Sequence, residues 1–360
     1  MKKILKNFKT GVLNGSETKK IFYIAKKNNF AIPAINCINT DSINMVLNTA
    51  SKIKSPVIIQ FSYGGSVFIS GKKNTGKKLF KEAIDGAISG AKHVHLIAKY
   101  YKIPIIIHTD HCNKELLPWI DGLIKAGKNF FYKTGNPLFS SHMLDLSQES
   151  LKDNIKTCYK YFKKINKIKM FLEMELGCTG GEEDGIDNTK IDKKYLYTQP
   201  KDVNLAYKKM SKISSNFSIA ASFGNVHGVY KPGNVSLKPK ILKKSQKYVK
   251  KLNKIRKINP LNFVFHGGSG SSLKDIKKSI KYGVIKINFD TDIQWFTWKG
   301  ILNFYKKNKK YLQKQLGNPE GKNKPNKKYY DPRNWIQKSK NYTSSKLKKI
   351  FFNLNSYKLL

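Results

Sequence analysis

Histidine and carboxylate residues stand at the ends of several short apolar runs in this chain. His111, His227 and His266 end or follow three different runs, and Glu175 lies near the end of another. Imidazole nitrogens and carboxylate oxygens together are ligands that suit zinc or a similar divalent cation. A single histidine in such a position is usually an ordinary hydrogen-bonded residue, whereas three from separate runs indicate a metal centre.

The four other histidines are expected to be hydrogen-bonded core or surface residues. The pair in the HVH segment lies in a predicted helix, where spacing of two residues places the rings on different faces. No metal motif is therefore assigned to these four, which are His93, His95, His108 and His142.

Polar residues end all eight of the apolar runs. We predict that they converge on one cleft. They are Asn36, Ser62, Asp110 with His111, Asp145, Glu175, Asn225 with His227, His266 through Ser269, and Asn288 with Asp290. The glycine-rich GGSGS segment at 267–271 precedes a predicted helix. Backbone N–H groups of such a turn, together with the helix N-terminus, attract phosphate.

These residues must be positioned by the runs themselves, which alternate with amphipathic stretches as in successive βα units. The runs are AIPAINCI (31–38), PVIIQFS (56–62), PIIIHTDH (104–111), PLFSSHMLD (137–145), MFLEMELG (170–177), FSIAASFGNVH (217–227), LNFVFHGGS (261–269) and GVIKINFD (283–290). Eight units predict an α/β fold, a (β/α)8 TIM barrel whose site lies at the carboxyl ends of the strands. An open doubly wound sheet is the alternative, but NTDSIN follows the first run where that fold usually has GxGxxG.

Two segments exceed a minimal barrel. The first is the glycine-rich, acidic segment 178–200 after the fifth strand, which is typical of a functional lid. The second is the tail beyond about residue 304, predicted to be a C-terminal helical extension. We find no domain boundary and predict a single barrel domain over residues 1–360.

The net charge of +46 raises the alternative of a basic nucleic-acid-binding protein. Only Arg256 and Arg333 are arginine among the 69 basic residues, although nucleic-acid interfaces favour arginine. The lysines are spread over nearly every predicted helix surface, and enrichment of Lys, Asn and Ile together is what an A+T-rich genome imposes through its codons. We therefore expect no specific nucleic-acid partner. No leader and no membrane span are recognised. Four widely spaced cysteines fit a reducing cytoplasm.

The longest motifs resemble those of one enzyme family. PAIN, HTDHC, FSSHMLDLS, ELGCTGGEEDG, SFGNVHGVYKPG, FHGGSGS and PNKKYYDPR are similar to segments of class II fructose-bisphosphate aldolases of the long bacterial type. The resemblance extends from about residue 10 to the C-terminus. It implies reversible cleavage of fructose-1,6-bisphosphate. It also implies Zn²⁺ or another divalent cation as cofactor, a monovalent cation as a further candidate, and a homodimer.

The resemblance also implies roles for individual residues. The metal ligands would be His111, His227 and His266, with Glu175 holding or moving the ion and Asp145 an acidic neighbour. Asp110 would exchange the C4 hydroxyl proton, Glu183 would transfer a proton at C3, and Asn288 would contact the enediolate. The dihydroxyacetone-phosphate end would meet Gly228, Lys231, Gly267, Ser269, Asp290 and Thr291. Asn36 is also predicted to bind substrate, and the other phosphate would meet Ser62 and Arg333.

Three alternatives stay open at this level. Tagatose-1,6-bisphosphate aldolase uses the same chemistry on a C4 epimer. A Schiff-base aldolase would need a lysine inside the barrel, and Lys286 is the candidate, although it could equally pair with a nearby carboxylate. Glu182 competes with its neighbour Glu183 for the proton transfer at C3.

Overall fold

The eight predicted strands form one closed parallel barrel. The computed structural model of this chain describes residues 3–72, 79–183, 186–187, 196–227 and 237–360, without the side chains of 181–183, 186–187 and 227. Strands β1–β8 of the barrel are Ile32–Asn36, Val57–Phe61, Pro104–Thr109, Ser141–Leu144, Phe171–Leu176, Phe217–Ala221, Phe263–Phe265 and Val284–Phe289. Each strand pairs with the next, and β8 pairs with β1, which closes the barrel. The predicted (β/α)8 fold is confirmed.

Helices surround the barrel because their apolar residues recur on one face. In the described part of the chain they are α1 (Gly15–Lys27), α2 (Thr40–Lys52), α3 (Tyr63–Ile69), α4 (Phe80–Tyr101), α5 (Leu117–Thr134), α6 (Leu151–Asn166), α7 (Pro200–Met210), α8 (Lys240–Leu252), α9 (Leu273–Lys281), α10 (Thr291–Asn308), α11 (Lys327–Tyr330) and α12 (Pro332–Asn353). In α6, for example, the side chains of Cys158, Phe162 and Ile165 are buried on the inner face. Ser150 caps this helix by accepting a hydrogen bond from the amide of Asp153.

Apolar side chains close the N-terminal end of the barrel. Leu5, Leu13 and Phe30 pack there with Phe171 at the start of β5 and with Leu359. A short strand at Gly11–Val12 pairs with the start of β3. This end is filled by apolar side chains, and the polar residues that follow the strands lie at the opposite end of the barrel.

Two additions to the barrel match the segments singled out in the sequence. After β5, a short strand at Gly180–Glu183 pairs with Val226–His227 and with Ile186–Asp187. Beyond α10, a hairpin of Leu316–Asn318 and Gly321–Pro325 precedes α12, which packs along α10. The C-terminal helical extension is therefore confirmed. No helix in the described ranges is long and apolar enough to span a bilayer.

Candidate functional site

Two histidines and three carboxylates converge at the carboxyl ends of β3, β4, β5 and β7. His111 Nδ1 lies 3.2 Å from Asp145 Oδ2 and 3.7 Å from Glu175 Oε2. His266 Nδ1 lies 3.6 Å from the same Glu175 oxygen, and the two imidazole rings are 4.6 Å apart between centroids. Ligand atoms of Asp110, His111 and His266, and those of His111, Asp145 and Glu175, all lie within 4.8 Å of one another. Five predicted residues are thus brought together.

The backbone at His111 is strained in a way that aims its ring into this cluster. Its φ angle is 22°, in the left-handed region that residues with a Cβ rarely adopt. Such strain is found most often where function requires a particular side-chain direction. Next to it, the Asp145 amide donates to the Cys112 carbonyl at 2.8 Å, which ties the end of β4 to the same turn.

The electrostatics of the cluster fit a site for a divalent cation. Burial, and then the neighbouring Asp145 carboxylate, raise the pKa of Glu175 well above its usual range. The Glu175 Oε2 atom is buried and accepts no hydrogen bond among the described residues, while Thr179 donates to its Oε1 at 3.0 Å. Burial also opposes ionisation of Asp145, but hydrogen bonds from His111 and Ser147 outweigh it and lower the pKa to about 2. Imidazole nitrogens and carboxylate oxygens in this arrangement suit a divalent metal.

Asp110 lies beside this cluster with three side-chain amides around its carboxylate. Gln60 Nε2 donates to Oδ2 at 2.6 Å, Asn36 Nδ2 donates to Oδ2 at 3.4 Å, and Asn288 Nδ2 donates to Oδ1 at 3.2 Å. Gln60 also donates to Asn36. The Asp110 side chain is buried, so the amides hold it in one orientation. The structure therefore joins the predicted residues Asn36, Asp110 and Asn288 in one network.

A second charged layer lies deeper in the barrel. Lys286 Nζ lies 2.9 Å from Glu173 Oε1 and 3.0 Å from Oε2, and all of these atoms are buried. Glu173 Oε1 also lies 2.9 Å from His266 Nε2, within hydrogen-bond distance. Lys286 is thus the charge partner of a carboxylate, which was the second of the two interpretations offered for it from the sequence.

The predicted phosphate residues lie on the turns after β7 and β8. Gly267 has a φ of 66°, and a Cβ at Gly268 would stand 2.8 Å from the Asn288 carbonyl, so the turn fits closely against β8. Ser269 Oγ accepts from the Asp292 amide at 3.3 Å. Asp290 precedes α10, whose first residue is Thr291. The turn after β7 and the start of α10 are thereby linked.

Ser62 and Arg333 occupy separate places. Ser62 caps α3 by accepting from the Gly65 amide at 3.1 Å, just after β2 ends. Arg333 lies in the first turn of α12, where its Nη2 is 2.7 Å from Asp331 Oδ2 and its side chain is 90% exposed. No contact between Arg333 and the cluster is present among the described residues.

Several predicted residues cannot be placed fully. Gly228 and Lys231 lie outside the described residues. For His227, Glu182 and Glu183 the backbone belongs to the short strands near β5, but their side chains are not described.

The four histidines expected to have ordinary roles do so. His93 Nε2 bonds Asn44 Oδ1 at 2.9 Å, and His95 Nε2 bonds the Leu138 carbonyl at 3.0 Å. His108 Nδ1 bonds Ser141 Oγ at 2.7 Å, and His142 Nδ1 bonds Thr109 Oγ1 at 2.8 Å. Each of the four has a hydrogen-bond partner in the protein, and their exclusion from a metal motif stays a prediction.

Sequence reasoning missed Gln60 and Glu173. Both interrupt apolar strands at positions whose side chains face inward, within VIIQF and FLEMEL. In FLEMEL the two glutamates are two residues apart and therefore share a strand face. That spacing was the available signal for Glu173.

The fold and site together define a barrel enzyme with a centre suited to a divalent metal. The family described as "Fructose-bisphosphate aldolase class-II" matches residues 16–358. The chain is 65% identical over 359 residues to the class 2 fructose-bisphosphate aldolase of Buchnera aphidicola subsp. Schizaphis graminum, covering 99% of this chain and 100% of the relative. It is 59% identical to that of Escherichia coli K12, with full coverage of both.

A solved structure agrees with these matches. The crystal structure of a fructose-bisphosphate aldolase from Campylobacter jejuni has a TM-score of 0.89 and 55% identity, and 99% of each chain is covered. The chain belongs to the class II fructose-bisphosphate aldolases, a metal-dependent family. Because these relatives are fructose-bisphosphate aldolases, the tagatose-bisphosphate alternative is not favoured.

Proposed function

We propose that this protein cleaves fructose-1,6-bisphosphate reversibly to dihydroxyacetone phosphate and glyceraldehyde 3-phosphate. The observation that carries the proposal is the cluster of His111, His266, Glu175 and Asp145 beside Asp110 at the mouth of the barrel. Membership of the family supplies the substrate class. The reaction is a step of glycolysis and of gluconeogenesis.

The proposed metal ligands are His111, His227 and His266, with Glu175 and Asp145 adjoining them. Zn²⁺ is the proposed ion, because imidazole and carboxylate donors suit it, and a monovalent cation is a further candidate. When bound, a divalent ion acts as a Lewis acid that stabilises negative charge developing as the C3–C4 bond breaks.

The proton transfers are assigned to carboxylates of the chain. Asp110 is proposed to accept the proton of the C4 hydroxyl, and its three amide donors hold the carboxylate in one orientation for this task. Glu183 is proposed to transfer the proton at C3, with Glu182 as its competitor. Asn288, which donates to Asp110, is also proposed to contact the enediolate left when the C3–C4 bond breaks.

The two phosphates are proposed to bind at separate places. The turn after β7 supports one of them, since its backbone N–H groups and the following helix attract anions. The proposed contacts of the dihydroxyacetone-phosphate end are Gly228, Lys231, Gly267, Ser269, Asp290 and Thr291. Ser62 and Arg333 are proposed for the other phosphate, and Asn36 for the sugar between them.

We further propose that residues 1–360 form a single domain, that two copies form a homodimer, and that the protein acts in the cytoplasm. Four buried free thiols suit a reducing compartment. Neither a specific nucleic acid nor a membrane is proposed as a partner.

An aldol-cleavage assay with and without a chelator tests substrate and metal dependence together. We expect cleavage of fructose-1,6-bisphosphate to vanish after EDTA treatment and to return with Zn²⁺ or Co²⁺. Tagatose-1,6-bisphosphate serves as the control substrate, and borohydride is expected to trap no adduct at Lys286. Full activity after verified metal removal would refute the proposal.

A further inference from the structure

Glu173 connects a proposed metal ligand to a buried ammonium group. The residue lies on β5, two positions before Glu175, and its side chain is 3% exposed. Its Oε1 atom is 2.9 Å from both His266 Nε2 and Lys286 Nζ. His108 Nε2 stands 3.7 Å from its Oε2 atom. None of these contacts involves the side of His266 that faces Glu175.

We propose that Glu173, held in place by Lys286, is a positioning residue that fixes the tautomer of His266. A neutral imidazole carries one N–H, and Nε2 is the nitrogen that lies against the carboxylate. The proton is therefore kept on Nε2, and Nδ1, 3.6 Å from Glu175 Oε2, presents its lone pair to the ion. This inference rests on the proposed metal-dependent function.

Lys286 keeps Glu173 in the form that the tautomer requires. Its ammonium group, which only donates hydrogen bonds, lies 2.9 and 3.0 Å from the two carboxylate oxygens of Glu173 and forms an ion pair with them. The ionised carboxylate only accepts hydrogen bonds, so His266 must donate to it.

Stability alone does not account for this buried ion pair. Desolvation of two charges costs about as much as their attraction returns, and replacing such a pair by apolar residues is often neutral or stabilising. A pair that contributes little to stability, yet contacts a metal-centre histidine directly, is better explained by its effect on that histidine. Carboxylates that hold metal-ligating histidines in this way are common in metal sites.

The first test reads the tautomer directly. Nitrogen-15 NMR of the metal-free wild-type protein distinguishes protonated from bare ring nitrogens, and the signals of His266 are those absent from a His266→Ala variant. We expect Nε2 to carry the proton and Nδ1 to be bare. A proton on Nδ1 would overturn the inference, regardless of the zinc affinity or stability measured for any variant.

The second test removes both charges of the ion pair together, so the net charge of the barrel interior does not change. In Glu173→Leu/Lys286→Met, we expect the urea midpoint to stay near that of the wild type. Zinc affinity, measured by competition with a chromophoric chelator, should fall by about 10–100-fold. The matched control is Asp121→Leu/Lys164→Met, which removes an ion pair of 2.8 Å on the helices outside the barrel. Its zinc affinity should not change.

Two outcomes of the second test would overturn the inference. The first is wild-type zinc affinity in the double variant. The second is a loss of zinc affinity that is matched by an equal loss of urea stability, which would indicate a structural role only. Either outcome leaves metal-dependent cleavage by the wild type intact. Failure of the proposed function would appear instead as a wild-type protein that cleaves without metal.

Discussion

At the scale of single residues, Asp110 and the neighbouring histidines have different surroundings. Three amide groups hold the Asp110 carboxylate, whereas His111 and His266 face carboxylates. The amides orient the Asp110 carboxylate, which can act as a general base toward a substrate held beside it. Imidazoles that face carboxylates are suited to share a cation with them.

The variants Asp110→Ala and His111→Ala should separate these two roles. We expect Asp110→Ala to lower the rate by about 10²–10⁴-fold with metal content unchanged. His111→Ala and His266→Ala should lose both activity and bound metal, and His227→Ala is expected to behave like them. Metal analysis of purified proteins makes the comparison. An Asp110→Ala protein as empty of metal as the histidine variants would contradict the separation.

Lys26 should make stability depend on pH. Its Nζ donates to the carbonyls of Asn259 and Leu261 at 2.9 and 3.1 Å. Burial, and then the charge of Lys257, lower its pKa from 10.5 to about 7. Between these values the unfolded chain binds more protons than the folded one, so the free energy of unfolding rises with pH.

The variant Lys26→Met isolates this contribution. We measure the free energy of unfolding in urea at about pH 7 and about pH 9 for both proteins. We expect the increase from the lower to the higher pH to be larger in the wild type than in the variant. The other lysines titrate equally in both proteins, so the difference belongs to Lys26. Parallel curves for the two proteins would show that its folded pKa is unshifted.

At the scale of elements, α3 carries Ser62 at its start and packs closely on α4. A Cβ at Gly86 of α4 would lie 1.8 Å from the carbonyl oxygen of Ser66 in α3. At Gly127 of α5 the nearest atom to a new Cβ would be Ile168 Cδ1 at 3.6 Å, an ordinary contact.

The variant Gly86→Ala is therefore expected to lower the free energy of unfolding by about 1–3 kcal/mol through overpacking. It should also weaken substrate binding, since α3 must move and Ser62 with it. Gly127→Ala is the matched control and should be neutral or more stable, because alanine is the better helix former by about 1 kcal/mol. Thermal unfolding measures the stability of the two variants, and KM measures their substrate binding. Equal stability of the two variants would refute the packing argument.

Arg333 lies in the first turn of α12, and its guanidinium donates to the Asp331 carboxylate at the helix N-terminus. A planar guanidinium binds phosphate through two parallel hydrogen bonds, which lysine cannot reproduce. We expect Arg333→Ala to reduce cleavage of fructose-1,6-bisphosphate by about a hundredfold. Proton exchange at dihydroxyacetone phosphate, which uses only the metal end, should be spared. Equal loss of both activities would contradict the assignment to the distal phosphate.

The strands could be predicted from sequence because each is a run of mostly β-branched and apolar residues, as in Val57–Phe61 and Pro104–Thr109. The convergence of Asp110 and His111 with Glu175 followed from their places at strand ends. The contacts of Glu173 could not be foreseen, since they join side chains that are 93 and 113 residues away along the chain. Local patterns do not encode which residues meet across a barrel interior.

At the scale of the whole molecule, the charge of +46 should attract nucleic acid weakly. The lysines are spread over many helices, and the only two arginines, Arg256 and Arg333, lie in different segments. We expect DNA binding without sequence preference that fades between about 50 and 200 mM salt, as counterion release requires. Fluorescence anisotropy with two unrelated duplexes measures it. Discrimination between the duplexes at physiological salt would restore the nucleic-acid hypothesis.

The closure of the barrel's N-terminal end has a consequence for the timing of folding. The Leu5 amide donates to the Leu359 carbonyl at 2.8 Å, and the Leu359 amide donates to the Lys54 carbonyl at 2.9 Å. These contacts join residues made early in synthesis to one made more than three hundred residues later. Long-range contacts form slowly, and incomplete sheets expose edges that bind other chains. During translation, the N-terminal end of the barrel therefore lacks these closing contacts until residue 359 has been added, although all eight strands are complete by Phe289.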